Sequence, residues 1–311
     1  MVEQRAPVRH VPPPQRREPP SRGRIAARRA IAIVLLAGGL GLIGWFVVQA
    51  VGSIGGTEKP KPKPVVAAPP TLKIIFPEGF TREQMAARIK AVDGIARRKR
   101  KINPKLSSAA YLRATESSAL PGKFAKDGKR RSLEGFLFPS TYDFEQRTTS
   151  KQLVKQQLAA FNENWNQVDL SYAKSKNLTP YDVLIIASLV EKEVIAPEER
   201  AKVAAVIYNR LHAGMNLGID ATTRYGLNVP GTEPLHQSQL ESTNPYNTRN
   251  PLIKGLTPTP IANPGLASMQ AAAHPAKVDY LFFVRKPDRI HHFFTASDTE
   301  FENYKNAHGF G

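Results

Sequence analysis

At 311 residues the chain has room for one large domain or two smaller ones with extra segments, and it contains no cysteine, which excludes disulfides and thiolate metal sites. Its formal net charge of +18 is unevenly spread, with eleven Lys and Arg against three Glu in residues 1–63. A basic body suits a polyanionic partner: nucleic acid, a membrane surface or a cell-wall polymer.

Residues 1–29 are rich in Pro and Arg and lack apolar periodicity, which predicts a disordered tail. No charged residue lies between Ala30 and Thr57. That stretch contains Ile31-Ala32-Ile33-Val34-Leu35-Leu36 and Leu42-Ile43-Gly44-Trp45-Phe46-Val47-Val48. A bilayer takes about 20 apolar residues, so a transmembrane helix is predicted over 30–52. Arg16, Arg17, Arg22, Arg24, Arg28 and Arg29 precede it and little charge follows, an asymmetry that keeps the N-terminus in the cytoplasm and the body outside. The alternative is a cleaved secretory signal ending at Val48-Gln49-Ala50. Under either reading the body works outside the cytoplasm, so nucleic acid is not the expected partner. Residues 53–70, with Lys59-Pro60-Lys61-Pro62-Lys63-Pro64, read as a stiff extended spacer.

A first small unit spans 71–130. Leu72-Lys73-Ile74-Ile75-Phe76 alternates like a strand, Pro77-Glu78-Gly79 makes a turn, and Thr81 caps a helix running to about Ile89. The basic run Arg97-Arg98-Lys99-Arg100-Lys101 reads as a solvated helix face, with anionic wall polymer as its specific alternative. A second unit spans 131–311. The block Leu133–Tyr142 is predicted as strand and loop, and Lys151–Trp165 as an amphipathic helix. The clearest helix start follows, with Thr179 as N-cap, Pro180 at the first helical position and Asp182 in the first turn. This helix is apolar nearly all round from Val183 to Val190, so it is expected to be central and buried, ending near Val194. Another helix begins around Pro197 and stops at Gly214. From Asn216 onward short strands in loop are expected, with a short helix at Ala267–Ala273 and strands at Tyr280–Val284 and His292–Thr295.

Two carboxylates, Glu191 and Glu193, end the central apolar helix. At helical spacing Glu191 shares a face with Ala187 and Ser188, whereas Glu193 stacks over Leu189 and Val190. Desolvation and the negative helix terminus both favour a protonated Glu193, the form an acid catalyst of glycoside cleavage needs. Glu191 is placed to pair with a cation or orient a substrate hydroxyl. Pattern alone reads more simply as two ordinary surface residues at a frayed helix end.

The motifs beyond this helix supply more. Val203-Ala204-Ala205-Val206-Ile207-Tyr208-Asn209-Arg210-Leu211 is followed by Gly214–Gly226, then Asn244-Pro245-Tyr246-Asn247-Thr248 and Ala271-Ala272-Ala273-His274-Pro275. Together with the Pro-Glu-Gly turn and the Leu133–Tyr142 block, these resemble the endolytic murein transglycosylases of the MltG (YceG-like) family, from about Pro77 to Phe294. The resemblance implies an α+β fold. A single-pass bacterial membrane anchor would carry a LysM-like glycan-binding module over 71–130 and a catalytic domain over 131–311 around the buried helix. It implies cleavage within nascent peptidoglycan strands, between N-acetylmuramic acid and N-acetylglucosamine, leaving a 1,6-anhydromuramoyl end. The family's catalytic acid falls on Glu193. Many members follow that glutamate with Thr, where this chain has Val194.

One carboxyl group suffices for such a lyase, because the substrate's own C6 hydroxyl replaces water, whereas ordinary glycosidases need two. Asp220, Glu134 and Glu241 are the available second carboxylates, each with a turn or cap role as the plainer reading. Glu191, Asp220, Tyr246 and Asn247 are taken as glycan-contacting positions. His274, His291 and His292 lack metal-ligand spacing, so neither metal nor cofactor is expected. The partners expected are glycan strands, the membrane and peptidoglycan synthases. The rival readings are an inactive wall-binding scaffold and a water-using muramidase.

Overall fold

The computed structural model describes residues 70–127 and 130–309. The expected tail and transmembrane span, and the spacer up to Pro69, lie outside the described residues. Among those described, no helix is long and apolar enough to cross a membrane.

Strand β1 (Leu72–Ile75) leads through the Pro-Glu-Gly turn, where Gly79 takes φ +74°, into helix α1 (Arg82–Arg100). Thr81 and Gln84 form a capping box at its start, and Met85, Ala86, Ile89 and Ala96 make its buried face. The helix runs one and a half times as far again as the periodicity predicted. Its basic last turn is exposed, with Arg97 held by Asp93 at 2.9 Å, and cations there complement the helix dipole. Helix α2 (Ser108–Glu116) follows, then β2 (Ser118–Ala119) pairing with β3 (Arg130–Arg131). The Leu133–Tyr142 block is mostly turn, and β4 (Thr141–Phe144) returns antiparallel to β1 with Leu72 opposite Phe144. The β1–β4 pairing therefore crosses the 130/131 boundary, and the described residues fall in one compact unit.

Helix α3 (Ser150–Trp165) is closed by a Thr149–Gln152 capping box and places Phe161 and Trp165 against Phe124 and Phe136, with Phe124–Phe136 edge-on at 4.9 Å. After α4 (Ser171–Ser175) comes α5 (Pro180–Glu193), which starts at the predicted Thr179 N-cap, closed with Asp182 into a capping box, and has eight consecutive buried residues, Val183–Val190. A 3-10 turn at Pro197–Glu199 leads into α6 (Arg200–His212). Both α6 and α9 (Leu266–Ala273) pack on α5, so the helix with the apolar circumference is the one surrounded.

Beyond Asn216 the structure differs from the prediction of strands in loop. Helices α7 (Asp220–Leu227) and α8 (Gln237–Leu240) precede α9. Nothing local announces α7, whose N-cap, Ile219, makes no side-chain cap bond. Long-range bonds secure it instead: Thr222 Oγ1 to Thr248 Oγ1 at 2.8 Å and Thr223 Oγ1 to Asn247 Oδ1 at 2.8 Å. Strands β5 (Phe282–Arg285) and β6 (His292–Thr295) form a hairpin, followed by α10 (Asp298–His308), which was not predicted although Ser297 caps it. The described residues thus form a mixed α+β fold of ten helices and three two-stranded sheets.

Candidate active site

A cleft of about 1090 Å³ opens where the end of α5 meets α7, the β5–β6 hairpin and the first turn of α1. Glu193, the last residue of α5, lines it. The chain leaves the helix there because Val194 turns extended (φ −94°, ψ 128°). Val194 itself is buried in the core, so the position after Glu193 is occupied by apolar packing. The Glu193 carbonyl accepts a hydrogen bond from the Arg285 guanidinium at 3.0 Å, tying the helix end to the hairpin. Lys192 donates to the Gly79 carbonyl at 3.3 Å and ties the same end to the turn before α1.

The protein around the Glu193 carboxyl strips it of water and raises its pKa from 4.5 to about 7, with a smaller push from Asp220. Arg285, Arg249 and Lys192 pull the other way without cancelling the burial. The cleft as a whole is basic. Six cations, Lys192, Arg210, Arg224, Arg249, Arg285 and Lys305, line it against three carboxylates, Glu83, Glu193 and Asp220. Four of the six spend their hydrogen bonds on backbone carbonyls, as Arg210 does at Leu217 (2.7 Å) and Arg224 at Glu233 (2.6 Å), so their charge stays largely uncompensated.

The expected site residues divide. Asp220 joins Glu193 in the cleft, on the first turn of α7, where it forms an ion pair with Arg249. Glu191 points away: its Oε2 accepts the Gly265 N–H at 3.1 Å, and it lies near enough to Glu78 to raise that carboxyl's pKa, after burial. Its partner is backbone, and it does not line the cleft. Tyr246 also sits outside the lining, bonded to Thr259 Oγ1 at 2.8 Å and packed against Tyr225. Asn247 is fully buried. It accepts from Thr223 and donates to the carbonyls of Leu240 (2.8 Å) and Ser242 (2.7 Å), a clip that fixes the loop rather than a free amide. A polar residue in a turn-rich motif carries the same local signature for either role, and only the partners separate them.

The other two carboxylates lie outside the cleft lining. Glu134 is fully buried behind the cleft, accepting from the Arg82 N–H that opens α1 (3.2 Å), from Tyr225 (3.2 Å) and from Asn263 Nδ2 (2.7 Å). Burial raises its pKa to about 8. Glu241 is exposed and follows α8, accepting from Gln237. Sequence reasoning passed over Arg285 and Arg249, whose place at the site is set by the hairpin and by the loop after α8. Neither has a periodic or motif signal. The histidines are separately engaged: His274 lies near Asp169, His291 near Asp288 and Glu198, and His292 on Glu199.

The sequence profile of the YceG-like family matches residues 61–307. The curated relatives that this chain matches include two, from different organisms, that carry the name endolytic murein transglycosylase. One, from Streptococcus pneumoniae, is 35% identical over 243 residues, covering 74% of this chain and 42% of its own length. The other, from Bacillus subtilis strain 168, is 33% identical over 218 residues, covering 69% of this chain and 59% of its own. This chain thus spans roughly half the length of the curated relatives it matches. The crystal structure of a putative yceG-like protein from Listeria monocytogenes superimposes with a TM-score of 0.61 at 28% identity, covering 76% of this chain and 77% of that one. With the fold, the order of motifs and the family profile in agreement, the chain belongs to the YceG-like family.

Proposed function

We propose that this protein is an endolytic lytic transglycosylase of peptidoglycan, cutting between N-acetylmuramic acid and N-acetylglucosamine within the strand. The observation that carries the reading is Glu193: of the three carboxylates that line the cleft, it is the one whose pKa burial raises to about 7. In its acid form it donates a proton to the glycosidic oxygen as the C1–O bond breaks. The resulting carboxylate takes the proton of the C6 hydroxyl as O6 bonds to C1, closing the 1,6-anhydro ring and restoring the acid. No water enters the products. The surplus of cations suits a strand whose peptide stems bear carboxylates. The names of the two relatives point to the same reaction.

Asp220, on the same cleft, favours one rival, a water-using muramidase with two carboxylates. Its ion pair with Arg249 and its exposure suit a group that orients rather than reacts. Mass analysis of products from purified glycan strands separates the readings. Anhydromuramoyl ends are expected, reducing ends would establish the muramidase, and intact strands would leave a scaffold.

The finer organisation is part of the proposal. Residues 30–52 anchor the chain in a bacterial membrane with the N-terminus cytoplasmic, 71–130 act as a LysM-like glycan-binding module, and peptidoglycan synthases are the neighbours supplying nascent strands. Recovery of a soluble mature protein lacking residues 1–50 would replace the anchor by a cleaved signal.

A further inference from the structure

His292 stands on β6 opposite Arg285 in the hairpin register and lines the same cleft as Glu193. It is 3% exposed, and the carboxylate behind it, Glu199, is 5% exposed. Nδ1 of the ring lies 2.7 Å from Glu199 Oε2, and the His292 backbone N–H reaches Oε1 at 3.0 Å and Oε2 at 3.1 Å. Glu199 is also the N-cap residue of the thirteen-residue helix α6, but its side chain makes no cap bond there and is turned to His292 instead. An ionised carboxylate only accepts hydrogen bonds, so Nδ1 carries the proton. In the neutral ring that leaves Nε2 as a lone-pair acceptor.

Nε2 has no hydrogen-bond partner among the described residues, yet it is not one of their fully buried unpaired atoms. It is therefore the ring atom that meets the cleft. Phe283 and Phe294 meet the imidazole edge-on, at 5.3 and 5.9 Å between centroids, and fix the plane of the ring. The neighbouring His291 is held differently, on Asp288 and Glu198. A histidine kept only for packing has no need of an oriented acceptor at the wall of a polar cleft.

We propose that His292 is a glycan-contacting residue whose Nε2 accepts a hydrogen bond from a sugar hydroxyl or acetamido N–H, and that Glu199 is the positioning residue that fixes this polarity. The inference rests on the reading of the cleft as a glycan site. Glu199→Gln is the informative substitution. Its amide oxygen keeps the backbone N–H at the Oε1 place, while its NH2 faces Nδ1 and drives the ring proton to Nε2, turning an acceptor into a donor.

In the full chain labelled with 15N-histidine, the variant is expected to show the switched tautomer. Its kcat/KM on glycan strands should fall roughly tenfold, the order of one hydrogen bond, with product chemistry unchanged. His292→Phe keeps the ring packing and should give a similar loss, so the idea stays testable if one variant fails to fold. A switched tautomer with unchanged kcat/KM would overturn the contact, and an unswitched one would overturn the role of Glu199. Wild-type protein that neither bound nor cut glycan strands would refute the reading of the cleft itself. Cleavage indifferent to both substitutions would refute only His292.

Discussion

Replacing Glu193 by Gln tests whether burial is what keeps this carboxyl protonated. The pKa rises from 4.5 to about 7, chiefly through loss of water around the group. Between those two values the native state holds a proton that the unfolded chain has released. Unfolding free energy therefore falls as pH rises through this window: the stability present below 4.5 is lost once the pH passes about 7. At about 1.4 kcal/mol per pH unit the whole shift is worth roughly 3 kcal/mol. Glu193 is only half-buried, and water in the cleft reduces the figure to about 1–2 kcal/mol. Gln cannot ionise and does not incur this loss. Wild type and Glu193→Gln should thus be close in stability near about pH 4, and the variant more stable by about 1–2 kcal/mol above about pH 8. Urea unfolding of the full chain, followed by the change in tryptophan fluorescence as the buried Trp165 is exposed, reads the difference at each pH. Taking the difference between the two proteins removes the parallel contribution of Glu134, whose pKa is also raised. A stability difference that did not change with pH would refute the argument that desolvation governs Glu193.

The same carboxyl should set the alkaline limb of activity, so kcat/KM on glycan strands is expected to decline above about pH 7, and a flat profile to pH 9 would count against Glu193 as the acid. Arg285→Met removes the first of the charges that lower the Glu193 pKa, so this limb should move to higher pH; an unmoved limb would show that the guanidinium acts only on the backbone carbonyl. Asn247→Ala breaks the bonds to Thr223, Leu240 and Ser242 and should lower stability by about 2–4 kcal/mol with KM unchanged in the folded fraction, whereas a selective rise in KM would restore it to the substrate site. Gly135→Ala combines a φ of +89° with a Cβ only 2.6 Å from Pro260 Cγ, so a loss above about 2 kcal/mol is expected in urea unfolding, and a neutral result would mean that the Pro260 segment yields freely.

What the sequence determined by itself was local. Thr179-Pro180-Tyr181-Asp182 specifies a helix start because the capping hydroxyl, the fixed proline φ and the reciprocal carboxylate all lie within four residues. The apolar circumference from Val183 to Val190 specifies its burial, and both features appear as predicted. The same reading placed Glu193 at the exit of that helix. Tertiary structure decided everything that depends on which distant segment arrives. Glu191 and Glu193 are two residues apart, and one bonds Gly265 while the other faces the cleft, because the α9 approach and the hairpin meet opposite sides of α5. Asp220 reached the site on a helix held by Thr248 and Asn247, long-range bonds with no trace in local propensity. Arg285, Arg249 and the Glu199–His292 pair carry ordinary residue types in unremarkable local contexts. Their roles come from burial and from hydrogen bonds spanning up to 93 positions of chain, which short-range pattern does not encode.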